Sequence, residues 1–125
     1  MNITARQQPT IIINLTPGIA NDDIAQLLYG MEEEGIPFQF SDKSATTLVQ
    51  CAYDAANQSP LAVGIAVSRD EIVIHYKNLP ADNPLFVMKD YLQQEKEMIR
   101  QLGCNAARLV KGLPFKNGTE YNLSL

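Results

Sequence analysis

The sequence predicts an α/β fold: a three-layer α/β/α sandwich around a mostly parallel mixed sheet with one antiparallel strand. Two observations carry this expectation. The runs at residues 10–15 and 61–67 are apolar almost throughout, as strands are when both of their faces are covered. Around them, helical and strand-like periodicities alternate in the order strand, helix, strand, helix, two strands, helix, and such an order places helices on both sides of a sheet. A chain of 125 residues is long enough for one real core, so residues 1–125 are expected to form a single domain.

Each element has its own signal. Residues 10–15, Thr-Ile-Ile-Ile-Asn-Leu, read as a central strand. Asn21-Asp22-Asp23 offer a cap and first-turn acids, and Ile24, Leu27, Leu28 and Met31 recur at helical spacing. Gly35 is suited to the left-handed position that ends a helix, Ile36 to folding back on its last turn, and Pro37 forbids continuation. Residues 37–41 read as a short strand. A second helix, capped by Ser44, presents Leu48, Ala52, Ala55 and Ala56 inward and stops at Asn57 and Pro60. The strand at 61–67, the polar Ser68-Arg69-Asp70 and the strand at 71–76 form a hairpin. Pro80, Asp82-Asn83 and Pro84 make 78–84 a loop. Residues 85–102 read as a helix ended by Gly103, and a short last helix runs from an Asn105 cap to Gly112, with a loosely held tail after Phe115.

Composition excludes whole classes of function. A net charge of −4 without a basic cluster argues against a nucleic-acid partner, which needs cations to displace counterions from phosphates. No apolar stretch approaches the roughly 20 residues of a membrane span, and the first residues lack a secretion signal, so a cytoplasmic protein is expected. Cys51 and Cys104 fit a reducing compartment and do not form a C-x-x-C pair. Walker and dinucleotide-binding motifs are absent, and no serine or cysteine has a base in a recognisable arrangement. The single histidine, His75, reads as a packed strand residue rather than a ligand or base. Asn117-Gly118-Thr119 is a chance sequon in a cytoplasmic chain.

The acidic run Glu32-Glu33-Glu34 is then the most informative feature. It places carboxylates in the last turn of a helix, where the backbone dipole opposes them at a cost of about 0.3–1 kcal/mol each. Projected at 100° per residue, with the apolar stripe on the sheet, Glu33 points outward, with Gln26, Tyr29 and Gly30 on the same outer face. An exposed aromatic beside a glycine and an acid reads as a partner surface as readily as a solvated one.

Four blocks carry a resemblance: Glu32-Glu33-Glu34-Gly35-Ile36-Pro37-Phe38, Ser59-Pro60-Leu61-Ala62-Val63-Gly64-Ile65-Ala66, Ile74-His75-Tyr76-Lys77-Asn78-Leu79-Pro80 with Pro84-Leu85-Phe86, and Asn105-Ala106-Ala107-Arg108-Leu109-Val110-Lys111-Gly112. In order and spacing they resemble the small subunits of the reactivating factors of coenzyme-B12-dependent diol and glycerol dehydratases. The N-terminus and residues 88–101 carry least of it. The resemblance implies the fold of the dehydratase medium subunit and a chaperone-like accessory role without enzymatic activity of its own. With a large ATPase subunit, such a chain promotes ATP-dependent release of damaged cobalamin from the client dehydratase by subunit exchange. It further implies that Glu33 meets the large subunit and helps complete an Mg²⁺ site there, with ATP on the large subunit and no cofactor bound by this chain alone. For Glu32 and Glu34, and for the blocks around His75 and Asn105, a structural role is expected. The medium subunit of the dehydratase itself shares the acidic and N-A-A-R blocks and stays open as the alternative. So do a glycerol or 1,2-propanediol client, homodimerisation of the isolated chain through its partner face, and association with a bacterial microcompartment.

Overall fold

In the computed structural model, the structure describes residues 8–43 and 45–116 together with the backbone of 122–123. Six strands form one sheet: β1 (Ile11–Leu15), β2 (Phe38–Ser41), β3 (Val63–Val67), β4 (Glu71–Tyr76), β5 (Phe86–Lys89) and β6 (Asn122–Leu123), in the spatial order β2-β1-β3-β4-β5-β6. β1 pairs in parallel with both β2 and β3, while β3–β4, β4–β5 and β5–β6 are antiparallel. Among the first five strands β4 alone runs against the others, as the hairpin signal implied. Among the described residues three α-helices accompany the sheet: α1 (Ala25–Glu33), α2 (Leu48–Gln58) and α3 (Lys96–Lys111).

Strand alternation explains the layers. Ile11, Ile13, Ile65, Ile72, Ile74, Phe86 and Met88 point to one face and share a core with Leu27 and Met31 of α1 and Leu102 and Ala106 of α3. Ala66 and Val73 point to the other face, where Cys51 and Ala52 of α2 cover them. Gly64 lets α2 sit directly on the sheet: a Cβ there would lie 2.1 Å from the backbone nitrogen of Ala56. Such small-residue contact is what the alanines of α2 suggested.

Four local expectations are corrected. Residues 86–89 are strand rather than the start of a helix, because Phe86 and Met88 pair with Ile74 and Ile72 and bury their side chains in the sheet. Asp90 in a left-handed conformation (φ 54°) and a 3₁₀ turn at Tyr91–Gln93 then lead to α3. Gly103 does not end a helix and Asn105 does not begin one, for both lie inside α3, whose terminator is Gly112 at φ 70°. Asn21–Ile24 form a 3₁₀ turn capped at Ala20, whose N–H donates to the Asp23 carboxylate at 3.0 Å. The cap of α2 is Thr47, whose hydroxyl accepts from Gln50 N–H at 3.0 Å; Ser44 lies outside the described residues. The tail beyond Lys116 and the sequon at Asn117 also lie outside them, save for the β6 backbone.

Candidate functional site

The two helices on the inner-core face form the site. α1 and α3 cross in close contact because each carries a glycine at the crossing. A Cβ on Gly30 would lie 2.1 Å from the Arg100 carbonyl oxygen, and one on Gly103 2.0 Å from the Leu27 carbonyl oxygen. Gly30 is therefore buried between the helices, not on an outer face with Tyr29. The projection assumed that only the sheet covers α1, whereas α3 covers a second flank.

This crossing also resolves the acidic run. Gly35 (φ 77°) ends α1 in a Schellman motif, with Ile36 N–H donating to Met31 O at 3.1 Å and Gly35 N–H to Glu32 O at 3.0 Å. Glu34, its side chain 11 % exposed, turns toward α3 and accepts from Arg108 Nε at 3.0 Å and Lys111 Nζ at 2.7 Å. Lys111 also donates to the Glu34 carbonyl at 2.8 Å, so a cation satisfies one backbone group at the helix end. The Lys111 hydrogen bond, aided by Arg108, holds the Glu34 carboxyl below its usual range against an opposing effect of burial. Its role is structural, as expected. Glu32 is exposed.

Glu33 stands at the rim between the helices, its side chain 46 % exposed. Three groups of α3 and the following segment surround it. Cys104 Sγ lies behind, donating to Oε1 at 3.5 Å; Arg100 Nη1 is 3.7 Å from Oε2, and Lys116 Nζ 3.9 Å from Oε1. Arg100 is shared, since its Nη2 donates to Glu97. The Cys104 thiol is pushed up by burial. Glu33 is thus accessible from outside, but at the rim rather than diametrically opposite the sheet.

Tyr29 is half exposed, and Gln26 is half-buried in a shallow groove with Asp22, Asp23, Leu92 and Lys96. Leu92, 56 % exposed, extends this surface. Sequence reading missed Leu92, Arg100, Cys104 and Lys116. The i, i+4 spacing of Arg100 and Cys104 on a continuous α3 would have placed the middle two on one face.

Among the described residues no group of three or more His, Cys, Asp or Glu could hold a metal. Glu33 fits Mg²⁺ as a single hard oxygen donor, while its neighbours are a thiol and two cations, so the described residues around it offer one ligand and not a whole site. His75 is fully buried in β4 and faces α2, with the Tyr53 ring edge-on at 5.0 Å. Its Nε2 lies 3.0 Å from the Ala81 carbonyl oxygen, while Nδ1 lies 2.9 Å from Tyr76 N and 3.1 Å from the Tyr76 carbonyl oxygen, so backbone groups engage both ring nitrogens. It ties the 78–84 loop to the sheet. No helix among the described residues is long and apolar enough to cross a membrane.

The dehydratase medium subunit family matches residues 8–116. The propanediol dehydratase-reactivating factor small subunit of Citrobacter freundii is 48% identical over 108 residues, covering 86% of this chain and 90% of that protein. The diol dehydratase-reactivating factor small subunit of Klebsiella michiganensis is 50% identical over 92 residues, 74% of this chain and 72% of that one. Among solved structures, a chain of the diol dehydratase-reactivating factor complexed with ADP and Mg²⁺ superposes with a TM-score of 0.81 at 45% identity, over 89% of this chain and 100% of that one. A chain of a glycerol dehydratase reactivase does so with a TM-score of 0.77 at 32% identity, over 88% and 98%.

Proposed function

Because the chain belongs to the dehydratase medium subunit family, and within it to the reactivating-factor small subunits, we propose that it is the exchangeable small subunit of a diol or glycerol dehydratase-reactivating factor. The observation that carries this reading is the match along the whole of a chain in a solved diol dehydratase-reactivating factor. In this role the chain docks on a large ATPase subunit through the α1–α3 face, with Tyr29, Gln26 and Glu33 presented to the partner. Gly30 serves the same face indirectly, by letting the helices approach.

Glu33 supplies one carboxylate oxygen to an Mg²⁺ ion whose remaining ligands come from the large subunit. The ion, when bound, would join the Glu33 carboxylate to the large subunit. The exposed carboxylate at the rim supports this, as does the presence of ADP and Mg²⁺ in the similar reactivating factor. Because medium subunit and reactivating-factor small subunit share one fold, the two can compete for equivalent surfaces, and such exchange would open the client dehydratase to release damaged cobalamin.

The test is reactivation. Chain and large subunit, with ATP and Mg²⁺, should restore turnover to cobalamin-inactivated dehydratase, and neither subunit alone should do so. Stable incorporation of this chain into an active diol-dehydrating complex would assign it instead as the enzyme's own medium subunit.

A further inference from the structure

Glu33 already has counter-ions within its own chain, and their arrangement has a consequence for docking. We propose that Arg100 and Lys116 are an exchangeable intramolecular cap on Glu33, which the partner-held divalent cation must displace, so that these two cations set the threshold of Mg²⁺-dependent association. This rests on the reading that Glu33 is given to a cation at the partner interface.

Three observations support the exchange. First, the contacts are long: 3.7 Å from Arg100 and 3.9 Å from Lys116, beside 2.7 Å and 3.0 Å for the cations on neighbouring Glu34. The two adjacent acids are thus held differently, one locked and one loosely covered. Second, Arg100 keeps Glu97 as a partner when it leaves Glu33, so its release exposes no unpaired charge. Lys116 is likewise free to swing, since its backbone N–H is anchored on Asn105 Oδ1 at 2.7 Å while its side chain remains about one-third exposed. Third, Cys104 Sγ sits behind the carboxylate and donates weakly to Oε1. The thiol thus backs the carboxylate on the side away from the rim.

Electrostatics fixes the sign. Two positive charges within about 4 Å of a carboxylate repel an incoming divalent cation as well as shielding its ligand. Exposed pairs of this kind are individually weak, so the effect on association is a modest factor.

The experiment measures association of the full chain with the large subunit as a function of Mg²⁺, by calorimetry or biolayer interferometry, for wild type, R100Q, K116Q, R100Q/K116Q, R100K and E33Q. The double variant is expected to need about 3- to 10-fold less Mg²⁺ for half-maximal association at low salt. This gain should shrink as salt screens the cap. R100K, which keeps the charge, should restore wild-type behaviour and separates charge from loss of packing. If the double variant needs as much Mg²⁺ as wild type, or more, while E33Q still abolishes Mg²⁺ dependence, the cap is refuted and the role of Glu33 stands. If E33Q leaves Mg²⁺ dependence unchanged, the reading of Glu33 fails and the cap with it.

Discussion

Lys111 Nζ lies 2.7 Å from Glu34 Oε1 and 2.8 Å from the Glu34 carbonyl oxygen, so one cation at the end of α3 closes the acidic end of α1. The carboxylate is nearly covered and Arg108 completes the pair. Glu34→Gln should therefore destabilise the chain by about 1–2 kcal/mol at neutral pH, since it removes the counter-charge that two cations share. The pH dependence has a definite sign. The folded carboxyl titrates below its ordinary value of 4.5, so the unfolded chain binds the extra proton and stability rises with pH. The contribution is complete above the ordinary value and is lost as pH falls through the lowered one. Urea midpoints measured across the acid range should show a slope in wild type that Glu34→Gln removes.

Gly103→Ala and Gly30→Ala should each be severely destabilising, by at least about 2–3 kcal/mol, because the new methyl meets backbone of the opposite helix, which cannot rotate away. A helix that merely ended at Gly103 would lose only the left-handed strain of one alanine. Thermal melts of Gly103→Ala distinguish these outcomes, since a change in Tm near zero is incompatible with the crossing.

The contrast with the sequence reading is physical. β1, β3 and the β3–β4 hairpin were legible because burial on two faces leaves an almost unbroken apolar run, and the end of α1 was legible because Gly35-Ile36-Pro37 is a local stop signal. Residues 86–89 were not, since Phe-Val-Met-Lys has no strong local preference and takes its form from pairing with β4. Asn105 resembles a cap in sequence but is fully buried in α3 and accepts from Lys116 N–H. Glu33 and Tyr29 were found because exposure follows from helical period. Gly30 was misplaced because a projection of one helix cannot show which neighbour covers it.

Both thiols should be inert in the folded chain. Cys51 and Cys104 are buried, and burial raises both of their titrations, which keeps them as thiols at neutral pH. Labelling with a disulfide reagent is expected to run at least about 100-fold slower than for an exposed cysteine, and to reach two thiols per chain only in denaturant. Rapid native labelling of Cys104 would mean that the α1–α3 rim opens and that Glu33 lacks the backing described above.

His75 should matter for stability and not for chemistry. Its two ring nitrogens are occupied by backbone groups of Tyr76 and Ala81, and the ring is wholly buried. His75→Ala leaves a cavity under Tyr53 and unpairs those groups, for an expected loss of about 2–4 kcal/mol. At a temperature where the variant is folded, its Mg²⁺-dependent association with the large subunit should equal that of wild type.

Tyr29 gives the opposite signature. It is half exposed on α1, near enough to Glu33 to share a docking surface, and with Leu92 it is among the few large apolar side chains that the fold leaves in water. Tyr29→Ala should change folding stability by less than about 0.5 kcal/mol, for little buried contact is lost and alanine favours the helix. An aromatic at the centre of an interface commonly contributes well over 1 kcal/mol, so association with the large subunit should weaken about 10-fold or more. The Mg²⁺ dependence should survive, because Glu33 is untouched. Unchanged affinity in Tyr29→Ala would move the docking surface off this face of α1 and leave Glu33 to be explained as a solvated rim acid.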